Sequence, residues 1–106
     1  MITERELMQA KRRRGNMLKL IRQGHEQQME RMDDFEMFAM MQDLGAHMSP
    51  NQVMTMLQDL ATLGYVTFRQ FFSIEKERNV AEEIMLTAAG LALVTRRKSN
   101  DEVLFD

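Results

Sequence analysis

The change of hydrophobic period at Gly64 constrains this chain more than any other feature. Before it, apolar residues recur at helical spacing. After it, Val66, Phe68, Phe72 and Ile74 alternate with Tyr65, Thr67, Arg69, Phe71 and Ser73. Alternation in a stretch rich in aromatic and β-branched residues predicts a strand over 65–74. The charged run 75–79 predicts a loop, and residues 80–86 a returning second strand. A two-stranded hairpin is not stable alone in water, so helices must cover one of its faces. Val66, Phe68, Phe72 and Ile74 are the face on offer.

Three helices are expected before the hairpin and one after it. Ser49-Pro50 is a start signal, a capping hydroxyl followed by proline where its missing N–H costs nothing. The helix that follows, over 50–63, is apolar on one side through Val53, Met56, Leu57, Leu60, Ala61 and Leu63. Asn51, Gln52, Thr55, Gln58, Asp59 and Thr62 fall on an opposite arc of about 120°. Upstream, Asp33 or Asp34 can cap a helix running to about Gly45, whose apolar residues cover an arc of roughly 220°. An arc that wide suits a central helix touched on two sides, or a helix with a spare face for a partner. Thr3 with Glu6 forms a capping-box pattern opening a first helix over about 4–23, with Gly24 as its expected C-cap. Thr87 caps a short last helix, 88–94.

The size suits one domain, since 106 residues bury about 65% of the surface they expose unfolded. Cysteine is absent, which excludes disulfide scaffolds and thiolate chemistry. The longest apolar run, 88–94, is far short of the roughly 20 residues that span a bilayer. The charged start, Met1 to Glu6, carries no signal-peptide pattern, so a cytoplasmic protein without a membrane partner is expected.

The expected order of three helices, a hairpin and a short helix is the layout of a winged helix–turn–helix, mainly α within an α+β class. Residues 57–66, Leu-Gln-Asp-Leu-Ala-Thr-Leu-Gly-Tyr-Val, are followed some twenty residues later by Leu86-Thr87-Ala88-Ala89-Gly90. This rhythm resembles the third helix, first wing strand and closing helix of winged-helix regulators of the MarR, PadR and ArsR-like families. With Met17-Leu18-Lys19-Leu20-Ile21 as the first core helix, the chain is more closely similar to small winged-helix proteins of Mu-like prophages. The resemblance covers residues 15–95, with 1–14 as a projecting basic part and 96–106 as a polar tail. It implies DNA binding through the third helix, a wing beside it, a regulatory role and a homodimer.

Charge segregation complicates that implication. Residues 1–31 hold eight Lys/Arg against four acids, whereas 32–68 hold no Lys or Arg against five acids. Proteins that read DNA draw much of their affinity from Lys/Arg contacts to phosphate, and the third helix has none. Asn51, Gln52, Thr55 and Gln58 can still pair with base edges in a major groove. Lys76 and Arg78 on the wing, and Lys11, Arg12, Arg13 and Arg14 on the first helix, are the expected phosphate contacts, with residues 96–98 as a further source. The alternative is a protein-interaction or phage-assembly module that keeps the scaffold without binding DNA.

No catalytic machinery is expected. His25 and His47 stand apart from any carboxylate pattern or metal-ligand spacing, and the five glycines are isolated from one another. The chain reads as a non-enzyme without cofactor or metal. Of its twelve methionines most fall on core stripes; Met8, Met32 and Met54 fit them less well and are candidates for a partner face. A homodimer is expected through residues 3–14 and 88–105, with Leu7, Met8, Leu91 and Leu104 in contact. Glu102 and Asp106 would then offset the basic run.

Overall fold

Residues 2–27 and 32–105 are described by the structure, a computed structural model. Among these residues, four helices and one antiparallel hairpin follow in the order α1 (Glu4–Glu26), α2 (Asp34–Asp43), α3 (Pro50–Thr62), β1 (Val66–Ser73), β2 (Arg78–Leu86) and α4 (Ala88–Val94). Each helix opens on a side-chain cap, which satisfies a backbone N–H left unpaired at a helix start. Thr3 accepts from Glu6, Asp33 from Glu36, Ser49 from Gln52 and Thr87 from Gly90. The core is built where the helices converge on the base of the hairpin: Met17, Leu18 and Ile21 of α1, Met37 and Met41 of α2, Leu57 and Leu60 of α3, with Ile84 and Leu93 closing it.

Several sequence expectations are corrected. Gly24 does not end α1; it is buried inside the helix, which closes at Gln27. Met32 and Met54 are buried rather than available to a partner: Met32 precedes α2 and its carbonyl accepts from the Ile84 N–H, and Met54 lies among the buried residues of α3. Met8 is exposed. On α2, Met37 and Met41 are buried while Phe35 is 61% exposed, so the wide apolar arc is only partly covered.

The hairpin differs from its expected form in a more consequential way. Val66 is buried and Phe68 half-buried, but Phe72 is 60% and Ile74 85% exposed. The strands pair Thr67 with Met85 and Arg69 with Glu82, so β2 holds one residue more than β1 across that interval. This is a β-bulge, and Glu83 occupies it with φ of 57°. On β1 only the base lies over the helices, and Phe72 and Ile74 extend beyond them, while Val80 and Ala81 of β2, opposite Phe71 and Gln70, remain buried.

One anchor reaches the outer half of the hairpin. Asp34, 4% exposed, accepts from Arg78 at 2.7 Å and from the Ala81 N–H at 3.3 Å. The carbonyl of Met32 accepts from the Ile84 N–H at 3.0 Å. The start of α2 therefore runs along the outer edge of β2 and covers it.

The segment after α4 is not a free tail. Val103 is buried, Leu104 N–H donates to the Lys11 carbonyl at 3.1 Å, and Asn100 donates to the Tyr65 hydroxyl at 2.6 Å. A Cβ at Gly15 would lie 2.0 Å from the Leu104 oxygen, so glycine is what lets the two backbones meet. Residues 11–15 thus form part of the packed body rather than a projection. Asp106 lies outside the described residues.

Candidate nucleic-acid interface

α3 presents two sides because its apolar residues repeat at helical spacing. Val53, Met54, Met56, Leu57 and Leu60 are buried, while Asn51, Gln52, Thr55, Gln58 and Asp59 are exposed. Part of this exposed face looks across an open gap to α1. A cleft of about 300 Å³ lies between them, with Arg13 and Arg14 on one wall and Asn51, Gln52, Thr55 and Asp59 on the other. Met48 and Met56 contribute apolar surface to it. The cationic groups that α3 lacks in its own sequence are supplied here by α1.

The side chains of this face are unequally available. Gln52 and Ser49 form a reciprocal capping box: the Gln52 amide oxygen accepts from the Ser49 N–H at 2.8 Å, and Ser49 Oγ accepts from the Gln52 N–H at 3.1 Å. Gln58 donates to the Gln70 side chain of β1 at 3.1 Å. Asn51 and Thr55 therefore stand as the less committed pair of the four expected base readers. Ser-x-x-Gln at 49–52 is the signal that would have marked Gln52 as part of the cap.

The basic residues divide in the same manner. Arg14 donates to the Glu102 carbonyl at 3.0 Å and lies 3.4 Å from its carboxylate and 3.9 Å from that of Asp59. Its side chain is 17% exposed, and its Nε is buried without a partner. Lys11 and Arg13 are half-buried and Arg12 exposed on the same helix. On the hairpin, Lys76 lies exposed in the turn, its backbone N–H donating to Ser73 Oγ at 3.3 Å. Arg78 belongs to β2 rather than to the loop, and its guanidinium is turned onto buried Asp34. Arg69 pairs with Glu82 and lies over the Phe71 ring, 5.4 Å from its centroid. Thus the structure gathers Arg13 and Arg14 with α3 but directs Arg78 inward to the fold.

The remaining expected sites fall elsewhere. Leu7, Met8 and Leu91 are exposed, whereas Leu104 is half-buried, with its backbone against α1 of its own chain. His25 sits 3.4 Å from the Ile84 carbonyl, which ties α1 to β2, and His47 is exposed. Glu36, in the first turn of α2, has its carboxyl held above the ordinary carboxylate range, by partial burial first and by Asp33 second. Among the described residues, no group of three or more His, Asp or Glu could hold a metal ion. No helix among them is long and apolar enough to cross a membrane. No family model, curated protein or solved structure matches this chain.

Proposed function

We propose that the chain is a winged-helix protein that binds nucleic acid without catalysing a reaction. The exposed face of α3 would meet the major groove, and Arg13 would meet phosphate beside it, joined by Arg14 where phosphate displaces Glu102 and Asp59. The observation that carries this reading is the shared cleft: Arg13 and Arg14 of α1 line the same space as Asn51 and Thr55 of α3. Asn can pair with an adenine edge and Thr can meet a thymine methyl, while arginine recognises phosphate in a planar, two-pronged manner. The start of α3 adds partial positive charge at the same place. A regulatory role in a phage setting extends this reading from the resemblance of residues 57–66 and 86–90.

A second reading, a protein-interaction or assembly module, is favoured by the ion pairs of the hairpin. Arg78 is engaged by Asp34 and Arg69 by Glu82, which removes charge from the element that would flank the duplex. Anisotropy with a labelled mixed-sequence duplex separates the two. Binding that weakens steeply between roughly 50 and 200 mM salt is expected, because each phosphate contact releases counterions. Failure to bind even at the lower salt rejects the first reading in favour of the second.

A further inference from the structure

The two edges of the hairpin are treated differently by the rest of the fold. The N–H groups of Ala81 and Ile84 point away from β1, since they donate to Asp34 and to the Met32 carbonyl. Gln70 lies opposite Ala81. In an antiparallel ladder, residues opposite each other point their backbone groups either both inward or both outward. The N–H and C=O of Gln70 therefore point outward from β1, and by alternation so do those of Phe68 and Phe72. Among the described residues, no backbone bond joins residues 67–73 to anything but β2. Edge strands in monomers are commonly short, interrupted by proline or guarded by lysine. β1 is eight residues long, has neither, and exposes Phe71 and Phe72.

The residue order along this edge fits one partner. Residues 67–73 read Thr-Phe-Arg-Gln-Phe-Phe-Ser. Run antiparallel to itself about Gln70, the segment sets Thr67 against Ser73, Phe68 against Phe72, and Arg69 against Phe71. A two-fold interface requires that kind of reciprocity, residue i meeting j while j meets i. Aromatic pairs, hydroxyl pairs and arginine over an aromatic face are each favourable across strands. Within one chain Arg69 already lies over Phe71. Shifting the centre to Arg69 would put two arginines directly opposite. Charge does not oppose the Gln70-centred register, because Arg69 is the only charged residue in the strand and Glu82 pairs with it. The pairing also joins outward-facing backbone groups to outward-facing ones, as the ladder demands.

We propose that β1 is a self-association edge, on which a second copy of this chain adds its own β1 antiparallel about Gln70 to form a four-stranded sheet. The surface is distinct from the helical one expected from Leu7, Met8, Leu91 and Leu104, and the inference does not depend on nucleic-acid binding.

Sedimentation of the full chain gives the first test. The 12.5 kDa chain is expected to form a species of about twice that mass as concentration rises. Gln70→Pro removes an N–H that β2 does not use, together with an exposed side-chain bond to Gln58, so the hairpin should tolerate it as edge strands tolerate proline. It deletes the hydrogen bond at the dyad from both copies and should weaken dimerisation by about tenfold to a hundredfold. Gln70→Cys provides a second route that leaves the backbone unaltered, and the natural chain has no cysteine to confuse it. Mild oxidation should trap a disulfide-linked dimer of this variant and not of Leu91→Cys. Hydrogen exchange at Gln70 and Phe72 should slow with rising protein concentration. The proposal is overturned by a chain that stays monomeric up to millimolar concentration. It is equally overturned by a dimer that Leu7→Asp and Leu91→Asp split while Gln70→Pro leaves it intact, or by Gln70→Cys crosslinking no faster than Leu91→Cys.

Discussion

The two ends of the hairpin make opposite use of the same polypeptide. At the base, backbone approaches backbone: Tyr65 accepts from the Thr87 N–H at 3.0 Å, and a Cβ at Gly90 would lie 2.1 Å from the Tyr65 oxygen. At the tip, Phe72 and Ile74 project into solvent, and Asp34 ties down Arg78 and the Ala81 N–H beneath them. The base fixes where β1 and β2 leave the helices, so its geometry admits almost no change. The tip has only to stay paired, which frees its side chains for a partner.

Substitutions should expose this asymmetry. Gly90→Ala forces a side chain into a carbonyl that has nowhere to move, and should cost about 3 kcal/mol or more, at the upper end of overpacking penalties. A denaturant midpoint close to that of the natural chain would show the base to be looser than described. Asp34→Ala strands a guanidinium and the Ala81 N–H, and should cost about 2–3 kcal/mol, less than a wholly buried pair because Arg78 is part-exposed. Exchange at Ala81 should accelerate in this variant while exchange at Leu57 follows global stability alone.

Smaller effects are expected away from these points. Gly15→Ala should push the backbone of Leu104 off α1 at a cost of about 1–2 kcal/mol, since a terminal segment can move where the Tyr65 carbonyl cannot. Limited proteolysis would then cut near residues 99–105 first. Ile74→Ser at the tip should change monomer stability by no more than about 0.5 kcal/mol, as surface substitutions generally do. A larger loss would mean that the tip packs against something in the isolated chain.

How far the sequence discloses this architecture depends on the range of the interaction concerned. Helix starts at Thr3, Asp33, Ser49 and Thr87 are local chemistry, and each cap stands where side-chain preference puts it. The strand at Gly64 is legible for the same reason. The exposure of Phe72 and Ile74 is not, because it depends on how far the hairpin reaches past the helices, and neither is the bulge, which rests on Glu83 at a positive φ that nothing about glutamate announces. Asp34 carried a partial signal: two adjacent aspartates begin α2, one suffices as a cap, and the other is buried against β2. The docking of Leu104 on Gly15 joins residues almost a full chain length apart, and a lone glycine in a helix does not say what approaches it. On the candidate interface, exposure of Asn51 and Thr55 follows from helical period. The engagement of Arg14 by Glu102 and Asp59 is tertiary and could be read only from the folded chain.

The salt dependence of duplex binding in Arg13→Ala/Arg14→Ala decides whether α1 supplies the phosphate contacts α3 lacks. Loss of the Arg13 contact, and of an Arg14 contact that must displace Glu102 and Asp59, should make the slope of log affinity against log salt shallower by about 1 to 2 relative to the natural chain. A slope unchanged by the double substitution, or a natural chain that binds no duplex at low salt, would contradict it.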